Sequence, residues 1–125
     1  MNQQRELCQM LSEVGFMASR YMMFDKASNL HGAIEVAYPE TEAPAIGLSY
    51  NLICQQSTGE AISLLSKFME KKKDASDLLK AFYGLALFEN GSMSQAEEVL
   101  LEVNKSEDAI AKSMAADLLN MINNQ

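Results

Sequence analysis

The chain has 125 residues and a mass of 13.8 kDa, room for a single domain over 1–125 that buries about two-thirds of its unfolded surface without help from disulfides or metal. Apolar residues make up 48% and charged residues 22%, which excludes a disordered chain. Ten basic against 17 acidic residues give a net charge of −7, and such a surface repels phosphate backbones and anionic lipid, so nucleic-acid binding and membrane insertion are not expected.

From Leu7 to Tyr21, apolar residues recur at helical spacing: Leu7, Met10, Leu11, Val14, Ala18 and Tyr21. A second helix is expected from about Asp25 to Tyr38, stopped by Pro39. Thr41 is the expected cap of a third, with Pro44 in its first turn, reaching about Gln56. A fourth covers Glu60 to Lys71, and its lysine run Lys71-Lys72-Lys73 suits the negative end of a helix dipole. The fifth runs from Asp77 to Glu89, after the capping candidates Asp74 and Ser76, and Asn90-Gly91 stops it. Ser94-Gln95-Ala96-Glu97 has the form of a capping box opening a sixth helix to about Asn104, and Ser106 is the expected cap of a seventh, Glu107 to Ile122. No segment alternates apolar and polar residues over a strand's length. The fold class is all-α.

Residues that carry chemistry are scarce. Cys8 and Cys54 are the only cysteines, too few for a disulfide framework and expected to stay reduced as small hydrophobes. His31 is the only histidine, which removes every constellation needing two, and it is expected to be packed or half-buried. No glycine-rich phosphate loop and no zinc spacing occurs. The acidic clusters Glu97-Glu98-Glu102 and Glu107-Asp108 read as solvated helix faces. No enzyme activity, metal or cofactor is expected. No apolar run is long enough to span a bilayer, and Met1 to Glu6 lacks the core of a secretory signal, so a cytoplasmic location is expected.

Ala27, Ala61 and Ala96 each open a second helix after a short turn phrase, at separations of 34 and 35 residues. A period of 34 is that of the tetratricopeptide repeat, and the chain resembles that family. On its pattern Leu11, Val14, Gly15, Ala27 and Pro39 fit the first unit; Ala45, Leu48, Leu52, Ala61, Leu65 and Phe68 the second; Tyr83, Gly84, Leu87, Ala96, Leu100 and Val103 the third. Ser49, Lys73 and Asp108 depart from it, as does His31 at an apolar place, so the set is degenerate. The small residues let paired helices approach closely, where a bulky one would cost about 1–3 kcal/mol. The expectation is three tetratricopeptide-like hairpins plus a C-terminal capping helix, an α-solenoid. An irregular bundle is the alternative.

In that register the first helices of the hairpins line a concave face, with Gln9, Ser12, Phe16, Ser19 and Arg20, then Ala43, Ile46, Tyr50, Ile53 and Cys54, then Leu78, Ala81, Leu85, Phe88 and Glu89. Phe16, Ile46, Tyr50, Ile53, Leu78, Leu85 and Phe88 would form an apolar strip, too large to stand in water without a partner. An amphipathic helix anchored at i, i+3, i+4 and i+7 fits such a groove, unless the seventh helix fills it. Met10, Met17, Met22 and Met23 offer adaptable apolar surface near its N-terminal end, with Met22 and Met23 individually expected in the core.

The order of phrases Met23-Phe24-Asp25-Lys26-Ala27-Ser28-Asn29 and Ala81-Phe82-Tyr83-Gly84-Leu85, with the short length and apolar groove, resembles the needle-subunit chaperones of bacterial type III secretion (the YscG type). The resemblance implies a cytoplasmic chaperone that holds a helical, self-assembling secreted subunit as a monomer in its groove, often beside a second small helical co-chaperone. Tyr50→Asp or Leu85→Asp would then abolish capture. Two alternatives accompany this expectation: a scaffold or adaptor that binds through its acidic or convex surface, and a chaperone of translocator proteins, whose longer N-terminal helix Met1 to Glu6 can scarcely supply.

Overall fold

A computed structural model describes residues 2–124 as seven helices: α1 (Asn2–Arg20), α2 (Phe24–Ala37), α3 (Ala43–Cys54), α4 (Thr58–Lys71), α5 (Asp77–Glu89), α6 (Met93–Val103) and α7 (Ala109–Asn123). The protein is all-α, as its composition and periodicity require. Each helix packs on its neighbours in the chain, and α1, α3, α5 and α7 also pack on one another in that order. Among the described residues α2, α4 and α6 make no such contacts with each other. The chain therefore forms two layers, a continuous one of odd-numbered helices backed by a row of even-numbered ones.

Three turns close the pairs α1–α2, α3–α4 and α5–α6, and they share one geometry. Met22, Gln56 and Gly91 each stand in the left-handed region, with φ of 64°, 66° and 83°. Met23, Ser57 and Ser92 then donate their amides to Ala18, Leu52 and Leu87, five residues back, at 2.8, 2.8 and 2.9 Å. This is the Schellman closure, which satisfies the last carbonyls of a helix and reverses the chain. The three left-handed residues lie 34 and 35 positions apart, the same separations as Ala27, Ala61 and Ala96. Only the third turn uses glycine.

The close approaches expected at small residues are present. Ala27, Ala61 and Ala96 are fully buried. A Cβ built on Gly84 would stand 2.5 Å from Leu100 Cδ2, and one on Gly15 would stand 2.5 Å from the His31 ring. Gly47 crowds the same ring, where a Cβ would collide with Nδ1 and Cε1. Two apolar clusters form most of the core, Ala45, Ile46, Leu65, Ala75 and Leu79 joining α3, α4 and α5, and Leu87, Leu100, Val103, Ala115 and Leu119 joining α5, α6 and α7, while Ala18, Ala27 and Ile34 are buried between the first helices.

Helix starts differ from the sequence expectation in instructive ways. α1 begins at Asn2, five residues before Leu7, so the first helix reaches further toward the N-terminus than its apolar periodicity marks. Ser76 caps α5 as expected, accepting from the Leu79 amide at 3.1 Å. Thr41 does not cap α3: its hydroxyl donates to the Tyr38 carbonyl, and Glu42 holds the cap position. The Ser94–Glu97 box does not form, because the Gly91 turn already sends the chain into α6 at Met93 and leaves Ser94 inside the first turn. Asp108, not Ser106, caps α7 through the amides of Ile110 and Ala111 at 2.9 and 3.0 Å.

Polar side chains tie successive pairs together. Ser19 donates to Asn51 Oδ1 at 2.7 Å, and Asn51 Nδ2 donates to the Phe24 carbonyl at 3.0 Å, all close to the first turn. Thr58 donates to Asn90 Oδ1 at 2.7 Å, linking the second turn to the third. At the opposite ends of the inner helices, the Ser76 amide and hydroxyl both donate to the Glu42 carboxylate, the amide at 2.8 Å. Ser106 donates to Asp77 Oδ2 at 2.5 Å.

Candidate binding groove

The inner layer encloses an open groove of about 800 Å³. Its floor is Phe16 of α1, Ile46 of α3, and Leu78 and Phe82 of α5. One wall is the N-terminal half of α1, with Gln4, Arg5, Cys8, Gln9 and Ser12; the other is Ile110 and Met114 of α7. Tyr38, Thr41, Glu42 and Ala43 close the end where α3 begins. The early start of α1 matters here: Gln4 and Arg5 reach the groove because the helix extends that far toward the N-terminus. Arg5 is the sole cation of the lining, and Glu42 the sole anion, its carboxylate held by Ser76. The Ser12 hydroxyl, buried from water, has no hydrogen-bond partner among the described residues.

The structure divides the seven residues expected to form one strip. Phe16, Ile46 and Leu78 line the groove. Tyr50 lies behind the floor in an aromatic cluster, its ring 5.0 Å from Phe16 and 6.1 Å from Phe82, while Phe16 and Phe82 are 5.9 Å apart. Burial pushes the Tyr50 phenol above its ordinary pKa, the Cys54 thiol adds to this, and the Arg20 guanidinium opposes both. Leu85 and Phe88 pack against the α5–α6–α7 core, so α7 fills the part of the concave face that they were expected to offer. Ile53 is half-buried on α3 outside the groove lining. Ile46 is buried and the other six are half-buried, so they do not stand in water as a continuous strip.

Phe82, Ile110 and Met114 are lining residues that sequence reasoning missed. The repeat register assigned Ala81 to the groove, yet Ala81 is fully buried in the core and Phe82 beside it faces the groove. Ile110 and Met114 belong to the expected C-terminal capping helix, whose sequence gives no sign that one end of its apolar face stays open. The methionines differ too. Met10, Met17, Met22 and Met23 are all exposed, and none lines the groove. Met22 and Met23 lie outside the core because the left-handed turn at Met22 carries both away from the packed layers.

The shape and lining suit a non-covalent apolar guest that brings few charges. Among the described residues no group of three His, Cys, Asp or Glu side chains is placed to hold a metal, and no helix is long and apolar enough to cross a membrane. Cys8 and Cys54 are free and half-buried, Cys8 in the groove wall. The chain matches no family model, and no curated protein matches it.

Proposed function

We propose that this protein is a tetratricopeptide-like chaperone of the type III secretion needle kind. It takes an amphipathic helix of a self-assembling secreted subunit into the groove of α1, α3, α5 and α7, and keeps that subunit monomeric in the bacterial cytoplasm. The observation that carries the proposal is the groove floor of Phe16, Ile46, Leu78 and Phe82 beneath an open volume of about 800 Å³. A helix roughly 10 Å across fills about 80 Å³ per ångström of length, so this volume matches about two turns. Two turns present one set of anchors at i, i+3, i+4 and i+7. The two-layer packing, the common turn geometry and the separations of 34 and 35 residues support tetratricopeptide-like stacking. A groove built to clamp a peptide's terminal carboxylate would need several cations where this one has Arg5 alone. The resemblance adds a second small helical protein to the complex.

Ile110 tests the groove with little risk to the fold, since it is 64% exposed while lining one wall. Co-expression with a needle-type subunit is expected to yield a soluble one-to-one complex. Ile110→Glu weakens that complex at least tenfold and leaves the circular dichroism spectrum unchanged. Capture of the subunit by Ile110→Glu at wild-type affinity removes the groove from the mechanism. Binding that ignores this substitution but weakens steeply with salt favours the scaffold alternative instead.

A further inference from the structure

Helix α1 stands at the edge of the inner layer; among the described residues its close backbone neighbours are α2 and α3, and Phe16 reaches Phe82 of α5. The side it turns away from them carries Leu7, Met10, Val14 and Met17, with Tyr21 following just past the helix end, all between 46% and 74% exposed. Their spacing alternates three and four, which places them at the a and d positions of two consecutive heptads. On a helix this spacing draws one straight apolar seam, of the kind that closes against a second helix. None of the five lines the groove, so the seam is a separate surface. Contiguous exposed apolar side chains on this scale mark an interaction site.

The charges beside the seam say what covers it. Along one flank run Glu6, Glu13 and Arg20, all exposed at g positions, acidic toward the N-terminus and basic at the C-terminal end, where the Arg20 guanidinium also lies beside Tyr50 of α3. A second α1 laid antiparallel puts the copy's Arg20 against Glu6 and its Glu6 against Arg20, because g faces g in that arrangement. A parallel copy would keep like residues level with one another and lose this pairing. The apolar order agrees in the same register: Leu7 meets Met17, Met10 meets Val14, and Gln3 meets Tyr21, so every rung is occupied. The other flank, Gln4, Leu11 and Ala18, brings no charge to the seam. One rung opposes pairing, since Glu13 meets its own copy near the two-fold axis.

We infer that α1 is a self-association surface, through which two copies of this chain pair antiparallel along Leu7, Met10, Val14 and Met17, with Glu6 facing Arg20 at both ends. The inference rests on the outer seam alone and stands apart from the groove and its guest.

Sedimentation of the purified full chain tests it. At micromolar concentration the protein is expected at twice its 13.8 kDa mass. Val14→Glu restores the monomer with unchanged circular dichroism, Glu6→Arg weakens the dimer about tenfold, and the double variant Glu6→Arg with Arg20→Glu recovers it. Glu13→Gln tightens the dimer several-fold, which no partner lacking the two-fold would require. A wild-type monomer up to about 100 μM, which places any dimer Kd above that level, overturns the inference. So does a dimer that Val14→Glu leaves intact, or a double charge swap that does not recover. A chain that stays monomeric while its seam captures a different helical protein overturns it as well.

Discussion

His31 stands where the two later pairs carry Leu65 and Leu100, and like them it is fully buried. Its ring lies edge-on to Phe16 at 5.6 Å, and Gly15 and Gly47 both come so close that a Cβ on either would collide with it. Neither ring nitrogen has a partner among the described residues. Burial without compensation disfavours the imidazolium, and the pKa falls below the ordinary 6.5. The sign of the consequence follows: below pH 6.5 the unfolded chain takes a proton that the folded one refuses, so this contribution to stability is intact above 6.5 and is lost as pH falls toward the lowered folded value. Urea midpoints are expected to drop between about pH 7 and pH 5.5, before most carboxylates titrate. His31→Leu removes that drop. An equal slope for wild type and variant over this window would show that the ring is hydrated in the folded state.

The helix pairs owe their shape to their turns. Left-handed backbone costs a residue with a side chain roughly 1–2 kcal/mol, and Met22 and Gln56 bear that cost where Gly91 does not. Gln56 is exposed, so glycine there changes the backbone term and little else. Gln56→Gly is expected to stabilise the protein by about 0.5–1 kcal/mol, after the larger entropy of an unfolded glycine is allowed for, and Gly91→Ala to destabilise it by about 1 kcal/mol. Chemical denaturation of the three proteins measures both, and a loss of stability in Gln56→Gly would sink the account of the turn. Between pairs, Asn51 serves as a connector, since its amide satisfies both Ser19 and the Phe24 carbonyl at the first turn.

Across the whole molecule, α7 settles how much of the inner face stays open. It packs along α5, covers Leu85 and Phe88, and leaves Ile110 and Met114 to form a groove wall. Two substitutions, one at an expected groove residue and one at an observed lining residue, therefore separate folding from capture. Leu85→Asp buries a carboxylate in the α5–α6–α7 core and is expected to cost more than about 2 kcal/mol, whereas Ile110→Glu changes stability by less than about 0.5 kcal/mol. Equal thermal midpoints for the two variants would mean that α7 does not cover α5 in solution. Aspartate at Leu85 thus reports on the core, and loss of binding there would say little about the groove.

Local signals were enough for the helices. Apolar periodicity, Pro39, Asn90-Gly91 and the spacing of Ala27, Ala61 and Ala96 specify helix number, order and pairing, because each acts within a turn or two of its own position. Phe16, Ile46 and Leu78 were legible as groove residues for the same reason, since one helix face is set by one period. The rest depended on contacts between distant segments. Whether Leu85 and Phe88 meet solvent or α7, whether Phe82 or Ala81 faces the groove, and whether Asp108 or Ser106 caps α7 are decided by how the layers rotate and slide as they pack. A rotation of one residue, 100° about a helix, is invisible to composition and periodicity yet moves a side chain from core to groove.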